Sequence, residues 1–147
     1  MNEEPLRKPI LYLVEDDDFQ AESLCELIGE KFPSIEVKRI ATHSGFKKQF
    51  EQLAEDQPVC IIIDEMLKWK NDSISEAPRD LNSYLQAGTD CRLQMLSDPR
   101  TDRIPALIYS VLDPSDVKLP RDTKFLRKDS HESKLIQWIK GALDGSV

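Results

Sequence analysis

The sequence predicts an α/β fold, a parallel sheet wound on both faces by helices, from three observations. ILYLV (10–14), VCIII (59–63) and ALIYSV (106–111) are continuously apolar runs of strand length. Segments with apolar residues at helical spacing separate them. Each run also stops on polar residues that carry chemistry: Glu15 and Asp16, Asp64, and Ser110. Runs that are apolar throughout fit strands buried on both faces, and their alternation with helices fits parallel pairing.

The elements follow in chain order. After ILYLV and the acidic VEDDDF (14–19), Phe19, Leu24, Leu27 and Ile28 recur at helical spacing until Phe32 and Pro33. Asp17 or Asp18 is placed to cap that helix. IEVKRI (35–40) alternates as a strand does, and Thr42 or His43 leads into a helix carrying Phe46, Phe50 and Leu53 on one face. VCIII ends at Asp64 and Glu65. From Lys68 to about Gln86 the periodicity dissolves, over a stretch too long for an ordinary strand-to-helix connection. A helix resumes with Cys91, Met95 and Leu96 and stops before Pro99. ALIYSV is followed by DPSDVKLPRD (113–122), whose two prolines leave room for only a turn or two of helix. TKFLRK (123–128) is less apolar and belongs near a sheet edge. Ser130 is placed to cap a last helix with Leu135, Ile139, Ala142 and Leu143 on its inner face.

The 147 residues suit one domain, and no internal repeat suggests a second. With 27 acidic against 20 basic residues the formal net charge is −7. A surface of that sign is repelled by a phosphate backbone, and no basic cluster offsets it, so nucleic-acid binding is not expected. The short polar start, MNEEPLRKP, is neither a signal peptide nor a membrane span, which points to a cytoplasmic protein with no membrane partner. Cys25, Cys60 and Cys91 are widely spaced in apolar surroundings and read as buried reduced thiols. His43 and His131 lack a partner pattern and read as surface or cap residues.

In a doubly wound sheet the carboxyl ends of the strands share one edge, with the ligand crevice where strand order reverses. Glu15, Asp16, Asp64, Ser110 and Lys128 all follow the last apolar residues of their strands. Three carboxylates gathered there require a counter-charge, and Mg²⁺, a hard cation that prefers oxygen ligands, suits them. Asp64, at the centre, is a candidate nucleophile toward phosphorus. Ser110 would donate a hydrogen bond, and Lys128 an ion pair, to the phosphoryl oxygens.

On these residues the chain resembles the receiver domain of two-component response regulators. ILYLVEDD matches the first strand and acid pair, VCIIIDEM the acceptor strand, IPALIYS the strand with the hydroxyl residue, and KFLRK the strand with the lysine. The resemblance spans 8–144, with an insertion at 68–87 and tails at 1–7 and 145–147. It implies a five-stranded, flavodoxin-like sheet of order 2-1-3-4-5, with a shortened fourth helix region. It also implies that Asp64 is the phosphorylation site and Asp16 a direct Mg²⁺ ligand. Glu15 would act through metal-bound water or a hydrogen bond, and the Met66 main-chain carbonyl would be a further ligand. Ser110 and Phe125 would form the switch, the ring following the hydroxyl as it moves toward the phosphoryl group. The implied partners are a histidine kinase or histidine phosphotransfer protein as donor and an unidentified downstream protein. A homodimer through the last strand and helix is compatible with the resemblance. The function implied is that of a stand-alone response regulator, a phospho-acceptor rather than a turnover enzyme.

Three positions depart from the family pattern. Lys68 replaces the Pro usual four positions after the acceptor, the 68–87 insertion follows, and Asp129 replaces the Pro after Lys128. The family's Lys–Pro bond is commonly cis, whereas a cis bond before Asp costs about 3–4 kcal/mol. The altered Lys128–Asp129 junction, the long insertion and the shortened connection between Ser110 and Lys128 support an alternative, a phosphorylation-independent pseudo-receiver acting as an interaction module. A Mg²⁺-dependent phosphohydrolase with an Asp nucleophile usually has a second Asp two residues on, and Met66 stands there instead.

Overall fold

In a computed structural model, described here for residues 8–66, 86–129 and 132–146, the five strand segments pair into one sheet. Strands β1 (Ile10–Val14), β2 (Glu36–Ile40), β3 (Cys60–Ile63), β4 (Ala106–Ser110) and β5 (Thr123–Arg127) lie in the order β2-β1-β3-β4-β5. All four pairings are parallel, as the resemblance implies. The central strands β1, β3 and β4 are almost wholly buried, while β2 and β5 at the edges are mostly half-buried. That division accounts for which runs are apolar throughout and which are mixed.

Side-chain alternation then divides the core into two halves. Leu11, Leu13, Ile62, Leu107 and Tyr109 point to one face, where helices α1 (Asp18–Lys31) and α4 (Glu132–Leu143) cover them with Ala21, Ile28, Leu135, Trp138 and Ile139. Tyr12, Val14, Ile61, Ile63 and Ile108 point to the other. There α2 (His43–Asp56) brings Phe46, Phe50 and Leu53, and α3 (Ala87–Leu96) brings Ala87, Cys91 and Met95. Each of these larger apolar side chains contributes about 1.5–3 kcal/mol by leaving water.

The helix starts resolve the choices left open by sequence. Asp17 is the N-cap of α1, accepting from Gln20 N–H at 2.9 Å, and Asp18 is the first helical residue. Thr42 caps α2 by accepting from Gly45 N–H at 2.9 Å. Three expectations, for Phe19, His43 and Cys25, are corrected. Phe19 does not join the inner face of α1 but is 78% exposed, because the capping position of Asp17 turns it outward. His43 is buried and bonds through Nε2 to Asp90 Oδ2 on α3, so it is an inter-helix tie and not a surface residue. Cys60 and Cys91 are buried free thiols, and Cys25 is only partly covered.

Between β4 and β5 stands a single 3₁₀ turn, Pro114–Asp116, as the two prolines suggest. Arg92 on α3 ties the chain before β4 to the start of β5. Its guanidinium donates to Thr123 Oγ1 at 3.0 Å, Ile104 O at 3.2 Å and Asp122 O at 2.8 Å, with the residue 1% exposed. The part of the 68–87 insertion up to residue 85, including Trp69, lies outside the described residues, as do Ser130 and His131. Among the described residues no helix is long and apolar enough to cross a membrane.

Candidate functional site

Strand register builds the site. Val14 pairs with Ile63, so Glu15 and Asp64 leave the sheet side by side. The strand order reverses at this position, since β1 lies between β2 and β3. Main-chain bonds continue one step past the strands: Glu15 N–H donates to Ile40 O at 3.0 Å and Asp64 N–H to Val14 O at 2.9 Å. The acids are thereby fixed by backbone pairing rather than by loop conformation. Oxygens of Glu15, Asp16 and Asp64 lie within 4.8 Å of one another.

Lys128 enters from the far side. Its main-chain N–H donates to Ser110 O at 2.9 Å, extending the β4–β5 pairing to the site. Its ammonium donates to Glu15 Oε1 at 2.6 Å, to Asp64 Oδ2 at 3.0 Å and to Gln20 Oε1. No cis peptide bond occurs among the described residues, so Lys128 reaches Asp64 with a trans bond before Asp129. The absence of the family's proline therefore does not misdirect the lysine.

The electrostatics follow from burial and crowding. Burial, then the neighbouring charge of Asp64, pushes the Glu15 carboxyl up to about 7, against the opposing pull of Lys128. Burial also works against the charged form of Lys128, but the attraction of Asp64 and Glu15 outweighs it and raises its pKa. One ammonium cannot neutralise three carboxylates. The donor set, hard carboxylate oxygens close together at a crevice, fits an oxygen-seeking divalent cation.

The other expected residues are placed as follows. Ser110 ends β4, fully buried, with its Oγ accepting from Leu112 N–H at 3.3 Å. Phe125 pairs with Ile108 across β4–β5 and packs, partly buried, against the core half covered by α2 and α3. Met66 follows β3, and its N–H donates to Asp64 Oδ1 at 3.2 Å. Asp18 pairs instead with Arg39, whose Nη1 lies 2.8 Å from its Oδ1 and whose Nε–H donates to Glu15 O at 3.0 Å.

Three contributors carry no role in the sequence analysis: Gln20, Arg39 and Glu65. Gln20 was legible in principle, because the first turn of a helix that follows the acid pair must overhang the same crevice. Glu65, 1% exposed, accepts from Thr89 N–H at 2.7 Å and Thr89 Oγ1–H at 2.5 Å. Burial pushes its carboxyl up, and the two Thr89 donors pull it back.

Sheet order, covering helices and the acid cluster at the switch point together define the receiver-domain fold of two-component response regulators, and the chain has that fold. Solved structures bear this out at low identity. The signal receiver domain of a signal transduction histidine kinase from Syntrophus aciditrophicus is similar at 21% identity and a TM-score of 0.66, covering 93% of this chain and 91% of its own. A receiver domain from a Clostridium thermocellum histidine kinase has a TM-score of 0.69 at 15% identity, covering 93% and 98%. The phosphorylated cyanobacterial phytochrome response regulator RcpA is similar at 20% identity, with a TM-score of 0.60 and 92% and 91% covered. No family model matches the sequence, and no curated protein does.

Proposed function

We propose that the chain is a response regulator that accepts a phosphoryl group on Asp64 in a Mg²⁺-dependent reaction. The observation that carries this is the arrangement of Asp64, with Glu15 and Asp16 beside it and Lys128 Nζ 3.0 Å from its Oδ2. Glu15, Asp16, Asp64 and the Met66 carbonyl would hold the ion, which supplies charge neutralisation when bound. An Asp64 carboxylate oxygen attacks phosphorus in line. The O–P bond forms as the P–N bond of a donor phosphohistidine breaks, and the departing imidazole nitrogen keeps the electron pair and takes up a proton. Lys128 then pairs with a phosphoryl oxygen. Ser110 turns its hydroxyl from Leu112 N–H toward the same group, and Phe125 moves into the space released.

The donor is a histidine kinase or histidine phosphotransfer protein, and the output is a protein contact that depends on the switch. Among the described residues the pseudo-receiver reading draws on the lone 3₁₀ turn between β4 and β5, which narrows the face that Phe125 would remodel. That feature bears on output and leaves the acceptor chemistry untouched. Incubation with Mg²⁺ and a small acyl phosphate should give an acid-stable, hydroxylamine-labile adduct that Asp64→Asn abolishes. An intact protein that forms no adduct would establish the pseudo-receiver instead.

A further inference from the structure

We infer that Glu65 is a positioning residue for the phospho-acceptor, acting by clamping the Asp64–Met66 turn to the start of α3. The inference deepens the function proposed above and rests on it for its catalytic consequence, though not for its geometry. The N-cap of α3, Gln86, makes no side-chain capping bond. The first N–H groups of a helix have no partner within it and must find one elsewhere. Here Glu65 supplies both acceptors: its main-chain oxygen takes Gly88 N–H at 3.0 Å, and its carboxylate takes Thr89 N–H at 2.7 Å. The Thr89 hydroxyl closes on the second carboxylate oxygen at 2.5 Å. A residue 24 positions away thus does the work of a local cap.

The clamp also brings the backbones into direct contact. A Cβ at position 88 would stand 2.3 Å from Asp64 O and 2.8 Å from Glu65 Cα, so only glycine lets α3 approach this closely. Glu65 lies between the two groups whose aim matters. Asp64 Oδ1 accepts from Met66 N–H at 3.2 Å, and the Met66 carbonyl is the expected main-chain ligand. Both depend on the backbone turn at Glu65, and the Glu65 carboxylate adds two bonds to the single main-chain bond from Gly88 that ties that turn to α3. The carboxylate itself faces Thr89 and is no part of the Glu15, Asp16 and Asp64 group.

The test compares Glu65→Ala, Glu65→Gln, Thr89→Val and Thr89→Ser with the wild type in two measurements. In amide hydrogen exchange, Glu65→Ala and Thr89→Val should lose protection at Met66 N–H, while Glu65→Gln and Thr89→Ser, which keep an acceptor and a hydroxyl, should retain it. In Mn²⁺ titration followed by electron paramagnetic resonance, Glu65→Ala should weaken binding on the order of tenfold, as loss of a group orienting ligands does. Glu65→Gln should recover most of that affinity. A Glu65→Ala protein that melts lower but keeps Met66 protection and Mn²⁺ affinity would overturn the inference and leave Glu65 a helix cap only. Wild type that binds no Mn²⁺ and forms no adduct would sink the proposed function, and the Met66 exchange would still decide the clamp.

Discussion

At the residue scale, the four consecutive acids of 15–18 divide by what each side chain meets. Glu15 is buried against Lys128 and Asp64, and Asp16 contributes an oxygen to the same group. Asp17 caps α1, and Asp18, with a side chain 93% exposed, pairs with Arg39. Asp16→Asn should therefore raise the Mg²⁺ concentration needed for half-maximal phosphorylation on the order of tenfold or more. Asp18→Asn should hardly move it, since an exposed ion pair contributes little and is screened. Equal shifts in the two titrations would show that the run acts as a diffuse negative patch. Lys128→Met should leave Mg²⁺-dependent adduct formation much slower, because the ion alone then meets the charge arriving on Asp64 and the ammonium 3.0 Å from its Oδ2 is gone. An unchanged rate would assign Lys128 to structure alone.

At the element scale, the strands were legible because burial on both faces leaves no room for polar residues. ILYLV, VCIII and ALIYSV could hardly be anything else, and their ends placed Glu15, Asp16, Asp64 and Ser110 on one edge. Lys128 was legible for the same reason, as the residue just past β5. What the sequence hid are pairings between distant side chains: His43 with Asp90, Glu65 with Thr89, and Arg92 with the carbonyls of Ile104 and Asp122. A polar residue about to be buried looks the same in sequence as one about to be solvated, until its partner is known. Phe19 shows the converse, an apolar residue on the wrong side of a correctly located helix. Two substitutions check these contacts by urea unfolding. Gly88→Ala forces a Cβ onto the Asp64 backbone and should cost about 1–3 kcal/mol. Arg92→Ala removes the strut that ties the chain just before β4 to the chain just before β5, and it strands two carbonyls, for about 2–3 kcal/mol. Values near zero would mean that α3 can shift without strain.

At the scale of the whole molecule, a chain of formal charge −7 concentrates its most costly negative charge where two halves of the sheet diverge. The fold accepts that cost because backbone pairing of β1 with β3 holds Glu15 and Asp64 together, and Lys128 offsets only part of their repulsion. The remainder appears as the raised pKa of Glu15, pushed up to about 7 by burial and by Asp64. Its sign fixes a pH dependence. A carboxyl raised in the folded state is protonated below about pH 7, and it must release that proton before the group presents its full charge to a cation. Stability linked to this group is complete below the ordinary Glu value and is lost as pH rises through 7, while cation affinity changes in the opposite direction. Mg²⁺ should therefore bind several-fold more tightly at pH 8 than at pH 6, a window in which unperturbed carboxylates do not titrate. Calorimetric titration in two buffers of different ionisation enthalpy should also detect a proton released per ion at pH 6. Glu15→Gln should abolish that release and flatten the pH response, even though it weakens binding at both values. Equal affinity of the wild type at pH 6 and pH 8, with no proton released, would show that Lys128 holds Glu15 ionised throughout.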